Sequence, residues 1–200
     1  MLFRSKINAA RRQKPPRRDV PRLILKKSAT LLRGCDAEHR HTLAQVAPLA
    51  KVLTQPADRA REIRTGTVDL VVTSPPFLDV VKYAADNWLR CWFCGIDPAA
   101  VPMTIVRRLD DWRAAMTRVF HDLHRVLRPG GFVAFEVGEV RQGRVRLEES
   151  VIPCGAAAGL EPVLVLLNTQ TFTKTANVWG VVNNRLGTNS NRIVVFRKDR

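Results

Sequence analysis

The pentapeptide Thr73-Ser74-Pro75-Pro76-Phe77 concentrates more potential chemistry than any other stretch of this sequence. Consecutive prolines fix two φ angles, remove two backbone donors and push each preceding residue away from helical backbone. What remains is a stiff loop of carbonyl acceptors, with a serine hydroxyl at one end and an aromatic ring at the other. Such an array suits a planar amine on a heteroaromatic ring. The amine's N–H groups can donate to the Ser74 hydroxyl and the Pro75 carbonyl while Phe77 stacks on the ring. A nucleobase has that form. Its exocyclic nitrogen is a poor nucleophile while the lone pair is conjugated into the ring. Acceptors that hold its hydrogens out of plane localise the pair for attack on a methyl sulfonium, a catalysis of positioning and electrostatics. A base inside a duplex cannot reach such a loop, so the target must be flipped out or already single-stranded. The plainer alternative is a proline-rich turn that merely closes a strand.

Other reactive residue types cluster less tellingly. Cys91-Trp92-Phe93-Cys94 has redox or metal spacing, but no second cysteine pair or nearby histidine completes a zinc site, and its helical setting predicts core packing. The pairs His39/His41 and His121/His124 lack a third convergent ligand and are expected to be structural or solvent-facing. Lys174 to Asn177 and Gly187 to Arg192 gather amides, hydroxyls and cations, a composition that serves phosphate or base-edge contacts and ordinary turns equally well.

These residues need a scaffold, and its pattern is α/β. VDLVV (68 to 72) is a short, β-rich apolar run, as expected of a strand buried on both faces of a parallel sheet, and the proline loop sits at its carboxyl end. Open α/β sheets hold their ligands at that end. Residues 79–93 place Val80, Ala84, Trp88 and Trp92 on one helical face. Residues 112–128 repeat the pattern with Trp112, Ala115, Met116, Val119, Phe120, Leu123, Val126 and Leu127, then stop at Pro129-Gly130-Gly131 before the strand FVAFEV (132 to 137). A helix near 147–158, a strand at VLVLLN (163 to 168) and a final strand at RIVVF (192 to 196) complete the series. Crossovers of this length predict a doubly wound sheet, with the final two strands as an antiparallel edge. Upstream, Asp19 to Arg33 reads as a basic amphipathic helix capped by Asp19, and Lys51 to Thr54 as a short strand leading to Asp58.

The chain has 200 residues, 46% of them hydrophobic, enough for one domain with a core, and it shows no repeat or low-complexity tract. No apolar run is long enough to span a membrane, and the start lacks the apolar centre of a secretory signal. The Arg-rich, acid-poor start has something in common with a mitochondrial presequence, but it runs directly into the predicted helix. Four cysteines, irregularly placed, suit a reducing, cytoplasmic setting rather than a disulfide scaffold. The net charge is +15, and residues 1–33 hold 11 basic residues against one acid. The excess is therefore an N-terminal arm. A field of that sign attracts polyanions, with nucleic acid foremost, although charge runs also serve solubility.

The sequence resembles the amino-group DNA methyltransferases, whose catalytic motif is a Ser/Asn/Asp-Pro-Pro-aromatic loop after a buried strand. The segments VDLVVTSPPF, YAADNWLR (83 to 90) and RVLRPGGFVAFEVGEV (125 to 140) look like the successive strand, helix and strand of that catalytic half. The resemblance implies a Rossmann-like, class I S-adenosylmethionine-dependent fold, with DNA as partner and methyl transfer to an exocyclic amine. The Ser-Pro-Pro form is mostly associated with cytosine N4. It also implies that Ser74, Pro75, Pro76 and Phe77 form the base pocket, with Thr73 and Asp58 on the cofactor side and Asp58 meeting its adenine. No metal is expected. Absence of a cysteine after the prolines also argues against ring-carbon methylation, which needs a thiolate nucleophile.

One departure is large: none of the 11 glycines is arranged as the G-x-G of the family's cofactor turn. The fold is accordingly expected to be incomplete in its N-terminal half. Residues 1–34 would be a basic arm and helix and 35–200 a catalytic half-domain, with the cofactor loop supplied by a partner chain or an upstream segment. An RNA base methyltransferase and a non-catalytic DNA-binding remnant are the alternatives.

Overall fold

The computed structural model describes residues 9–10, 17–76, 78, 83–101, 103–104, 106–140, 145–169 and 190–199. The chain divides into two compact units, Met1–Val52 and Leu53–Arg200. In the first, α1 (Val20–Leu31) begins where Asp19 accepts a hydrogen bond from the Arg22 amide at 3.1 Å, with Pro21 in the first turn as the sequence predicts. A second helix, α2 (Ala37–Val46), which the sequence pattern does not predict, is capped in the same way by Asp36 on the His39 amide at 2.8 Å. Neither helix buries a residue. Lys51 to Thr54, expected as a strand, takes no regular structure. Val52 is almost fully exposed, and among the described residues no strand receives the segment's backbone bonds.

The second unit is a mixed α/β, Rossmann-like sheet. Strand β1 (Val68–Thr73) runs parallel to β2 (Leu127–Val140), and the long helix α4 (Leu109–Val126) connects them after α3 (Tyr83–Phe93). A two-residue β3 (Val145–Arg146) pairs with the end of β2, and α5 (Glu148–Ala157) leads to β4 (Leu160–Thr169) and β5 (Ser190–Lys198). The strand order is β1-β2-β5-β4. As expected, the final two strands pair antiparallel at one side of the sheet; β5 is antiparallel to both its neighbours, β2 and β4, so β4, the outermost of the described strands on that side, runs parallel to β1 and β2.

Pro129-Gly130-Gly131 does not precede the second strand but interrupts it. β2 advances from Leu127 to Phe132 while β1 advances only from Val68 to Leu70, and Gly130 takes φ +78° inside the bulge. The register then holds through Thr73↔Phe135.

Because strand side chains alternate, one face presents Val71, Val133, Phe135, Val194 and Phe196, over which α4 and α5 pack. Phe120 of α4 lies 4.7 Å from the Phe135 ring and 5.1 Å from Phe196, the latter edge-on. The other face presents Leu70, Val72 and Phe132, and Leu70 and Val72 are 57% and 74% exposed. The expectation that VDLVV is buried on both sides thus fails on one. Within this unit both described helices that pack on the sheet, α4 and α5, lie on the opposite face.

Gly155 is the closest approach in this core, since a Cβ there would overlap the Phe196 ring. Gly155→Ala is expected to cost about 1–3 kcal/mol, the usual penalty of overpacking, read as a lower denaturant midpoint with an unchanged slope.

Candidate functional site

A cavity of about 700 Å³ opens at the carboxyl end of β1, wholly within the second unit. Its wall contains Asp58, Thr73, Ser74, Pro75 and Pro76, five of the six residues singled out from sequence. Phe77, the sixth, lies outside the described residues. Apolar groups from β1 and α4, among them Val71, Met116, Val119 and Leu123, also line the cavity, as does Met103. The lining is therefore a largely apolar slot with few polar groups, the make-up of a small-molecule site.

The loop is held from below at two points. Leu78 is 1% exposed and joins the core cluster, which anchors the exit of the loop. Trp112, in the first turns of α4 and 2% exposed, donates its indole Nε1–H to the Pro76 carbonyl at 3.0 Å. Thr73 and Pro75 are half-buried, and Ser74 and Pro76 exposed.

Asp58 comes from a segment with little regular structure, and α4 fixes that segment. The Asp122 carboxylate accepts from the Ala60 amide at 2.8 Å and from Arg125 Nε at 2.8 Å. Arg125 in turn donates to the carbonyls of Ile63 and Ala60, each at 2.8 Å. The amides of Gly66 and Thr67 donate to the Arg125 and Val126 carbonyls, which leads the chain straight into β1. So clamped, Asp58 is 3.4 Å from Arg118 Nε and 3.6 Å from Arg59 Nε. Burial pushes the Asp122 carboxyl up, but the Arg125 hydrogen bond and the Ala60 amide outweigh it, and the net shift is below the ordinary 3.8. The bond to Asp122 raises Arg125 correspondingly.

Helix α3 contributes residues that the sequence reading assigned differently. Asn87, Arg90, Cys91 and Cys94 all line the cavity, whereas Trp92 and Phe93 are 70% and 83% exposed. The cysteines are therefore not core residues, and the stripe through Trp88 and Trp92 is not a buried face; Val80, at its start, lies outside the described residues. The reason is positional. α3 flanks a cavity instead of a packed sheet face, so its periodicity marks an amphipathic helix without telling which side meets protein. Arg118 was missed for a related reason: it sits among polar residues of α4, and only the fold of the 58–66 segment brings Asp58 to it.

Among the described residues no group of three or more His, Cys, Asp or Glu could hold a metal ion. His39 bonds Asp36, His41 meets Gln45, and His124 is partly buried. Of the Asn/Thr-rich stretch, residues 174–189 lie outside the described set. Asn191 donates to Glu136 at 2.7 Å, tying β5 to β2, and Arg192 pairs with Glu148, tying β5 to α5. No described helix is long and apolar enough to cross a membrane.

No family model matches the sequence and no curated protein does. Solved structures do show similarity. A candidate DNA modification methylase from Thermus thermophilus, complexed with S-adenosyl-L-methionine, aligns with 74% of this chain and 52% of its own at 19% identity and a TM-score of 0.46. A 16S rRNA adenine-N1 methyltransferase from Catenulisporales acidiphilia aligns over 72% of this chain and 59% of its own, at 15% identity and a TM-score of 0.38. An S-adenosylmethionine-dependent methyltransferase from Methanosarcina mazei aligns over 82% and 79%, at 10% identity and a TM-score of 0.38. The chain thus spans about half the length of the Thermus protein.

Proposed function

We propose that this chain is the catalytic half of an S-adenosylmethionine-dependent methyltransferase that acts on the exocyclic amine of a flipped base in DNA, cytosine N4 ahead of adenine N6. The observation that carries the reading is the cavity at the carboxyl end of β1, with Ser74, Pro75 and Pro76 in its wall and Asp58 beside them. Its volume and apolar lining suit a nucleoside-sized ligand. Asp58, paired with Arg118, is the acid available to meet the adenine of the cofactor, and Thr73 is the neighbouring wall. When bound, S-adenosylmethionine supplies an electrophilic methyl group on sulfur. In this reading the Ser74 hydroxyl and the Pro75 carbonyl accept the amine's hydrogens and hold the nitrogen lone pair toward that methyl group, and Phe77 stacks on the base.

The sequence has no G-x-G turn, so a second segment, from a partner chain or upstream, is proposed to complete the cofactor site. The functional division is between a basic arm (1–34) and the catalytic half (35–200). DNA is the proposed partner because of the +15 charge and the arm's share of it. The cytoplasm is the proposed location, given the few, free cysteines.

The test is transfer of a labelled methyl group from S-adenosylmethionine into DNA, with the methylated base identified after hydrolysis. N4-methylcytosine is the expected product. Transfer to RNA in preference would favour an RNA base methyltransferase, and salt-sensitive DNA binding without transfer would favour a remnant. Replacing Arg11, Arg12, Arg17 and Arg18 by glutamine is expected to flatten the logarithmic dependence of DNA affinity on salt by about 0.9 for each phosphate no longer neutralised, as measured by binding titrations at several salt concentrations.

A further inference from the structure

We infer that Trp112 is a positioning residue for the proline loop, and that its indole N–H sets which carbonyl of that loop faces the reacting amine. The inference rests on the methyl-transfer reading above. Neither Pro75 nor Pro76 has a backbone N–H, so the pair has no donors of its own by which to be held. Its orientation has to be fixed through its carbonyls. The 3.0 Å bond from Trp112 Nε1 does this at Pro76, and the donor is rigid: the indole is buried in the core cluster and belongs to the first turns of an 18-residue helix. Trp112 does not line the cavity, so it acts on a ligand only through the loop.

The consequence is selectivity among acceptors. With the Pro76 carbonyl turned inward to the indole, that oxygen cannot also receive an amine in the cavity along the same direction. The Ser74 hydroxyl and Pro75 carbonyl remain as the acceptors on the ligand side. Freed from the indole, the loop loses its anchor at Pro76, and the stiff Pro75-Pro76 unit, with the Pro75 carbonyl on it, can shift as a whole. Small misplacements of an orienting group slow a reaction that depends on alignment much more than they weaken binding.

Trp112→Phe keeps the ring in the core and deletes the N–H. The expected result is a drop in kcat of about ten- to a hundredfold, with KM for S-adenosylmethionine and for the oligonucleotide within about threefold and the melting temperature within a few degrees. In wild type, the indole proton that disappears from the NMR spectrum of Trp112→Phe is expected to exchange with solvent slowly, while those of the exposed Trp88 and Trp92 exchange fast. A Trp112→Phe enzyme with wild-type kcat overturns the inference and leaves the methyl-transfer reading intact. So does a loss of kcat matched by a large fall in melting temperature and a rise in both KM values, which is a packing role. A fast-exchanging Trp112 proton removes its basis whatever the activity. A wild type that methylates no nucleic acid, with or without a completing partner, overturns both.

Discussion

Ser74→Ala is expected to lower methyl transfer by at least about a hundredfold while leaving affinity for duplex DNA within about twofold. Under the proposed chemistry, the hydroxyl accepts a hydrogen bond from the amine that orients the nitrogen lone pair as it becomes nucleophilic, so its removal strikes the transition state and little else. Loss of one aligned polar group at a reacting centre commonly costs about 10²- to 10³-fold in turnover, roughly 3–4 kcal/mol. Duplex affinity, by contrast, comes from phosphate contacts and not from a single flipped base. Pro75→Ala should lose activity by a different route, because it keeps the carbonyl but gives back a φ rotation and a backbone donor. Labelled-methyl incorporation and a filter-binding titration separate the two quantities. Unchanged turnover in both variants would remove the loop from the mechanism.

The second large effect is structural. Arg125→Met is expected to destabilise the second unit by about 3–5 kcal/mol, since it leaves the Asp122 carboxylate without its cation and two carbonyls without a donor. Asp122→Asn should cost less, about 1–2 kcal/mol, because an amide oxygen can still accept from the Ala60 amide. Chemical denaturation of each variant measures these costs. The same pair predicts an acid dependence. Asp122 titrates below its ordinary value in the folded state, so it contributes stability that is complete above the unfolded carboxylate range, about pH 4, and is lost as pH falls through the folded value. Arg125→Met should flatten that loss. If Asp58 meets the cofactor as proposed, opening the clamp should loosen it, and cofactor affinity in these variants should fall before the sheet melts.

Periodicity located most elements because it reports a local property. The stripe from Trp112 to Leu127 marks α4 within a few residues, and the contiguous apolar run VDLVV marks β1. The proline loop was legible for a similar reason: strand, loop and aromatic are adjacent in the chain, and their place at a strand's carboxyl end follows from connectivity. Residues that meet across long separations were not legible. Asp122 and Arg125 lie three residues apart on α4, but the other partners of Arg125, Ala60 and Ile63, lie more than 60 residues earlier. The spacing predicts Trp112 in the core, where it lies, but does not reveal that its N–H meets Pro76. Strand order was hidden as well. RIVVF carries the signature of a strand but no mark of which two neighbours it will have.

That order, β1-β2-β5-β4, bears on how the polypeptide can be assembled. β4 is made before β5 and, among the described strands, pairs with β5 alone, so in a nascent chain β4 lacks this partner until Ser190–Lys198 has left the ribosome. Pairing across such separations is slow, and solitary apolar strands are prone to stick to one another. Leu164, Leu166 and Leu167, still about half exposed in the finished fold, are where a chaperone or an aggregate would first take hold.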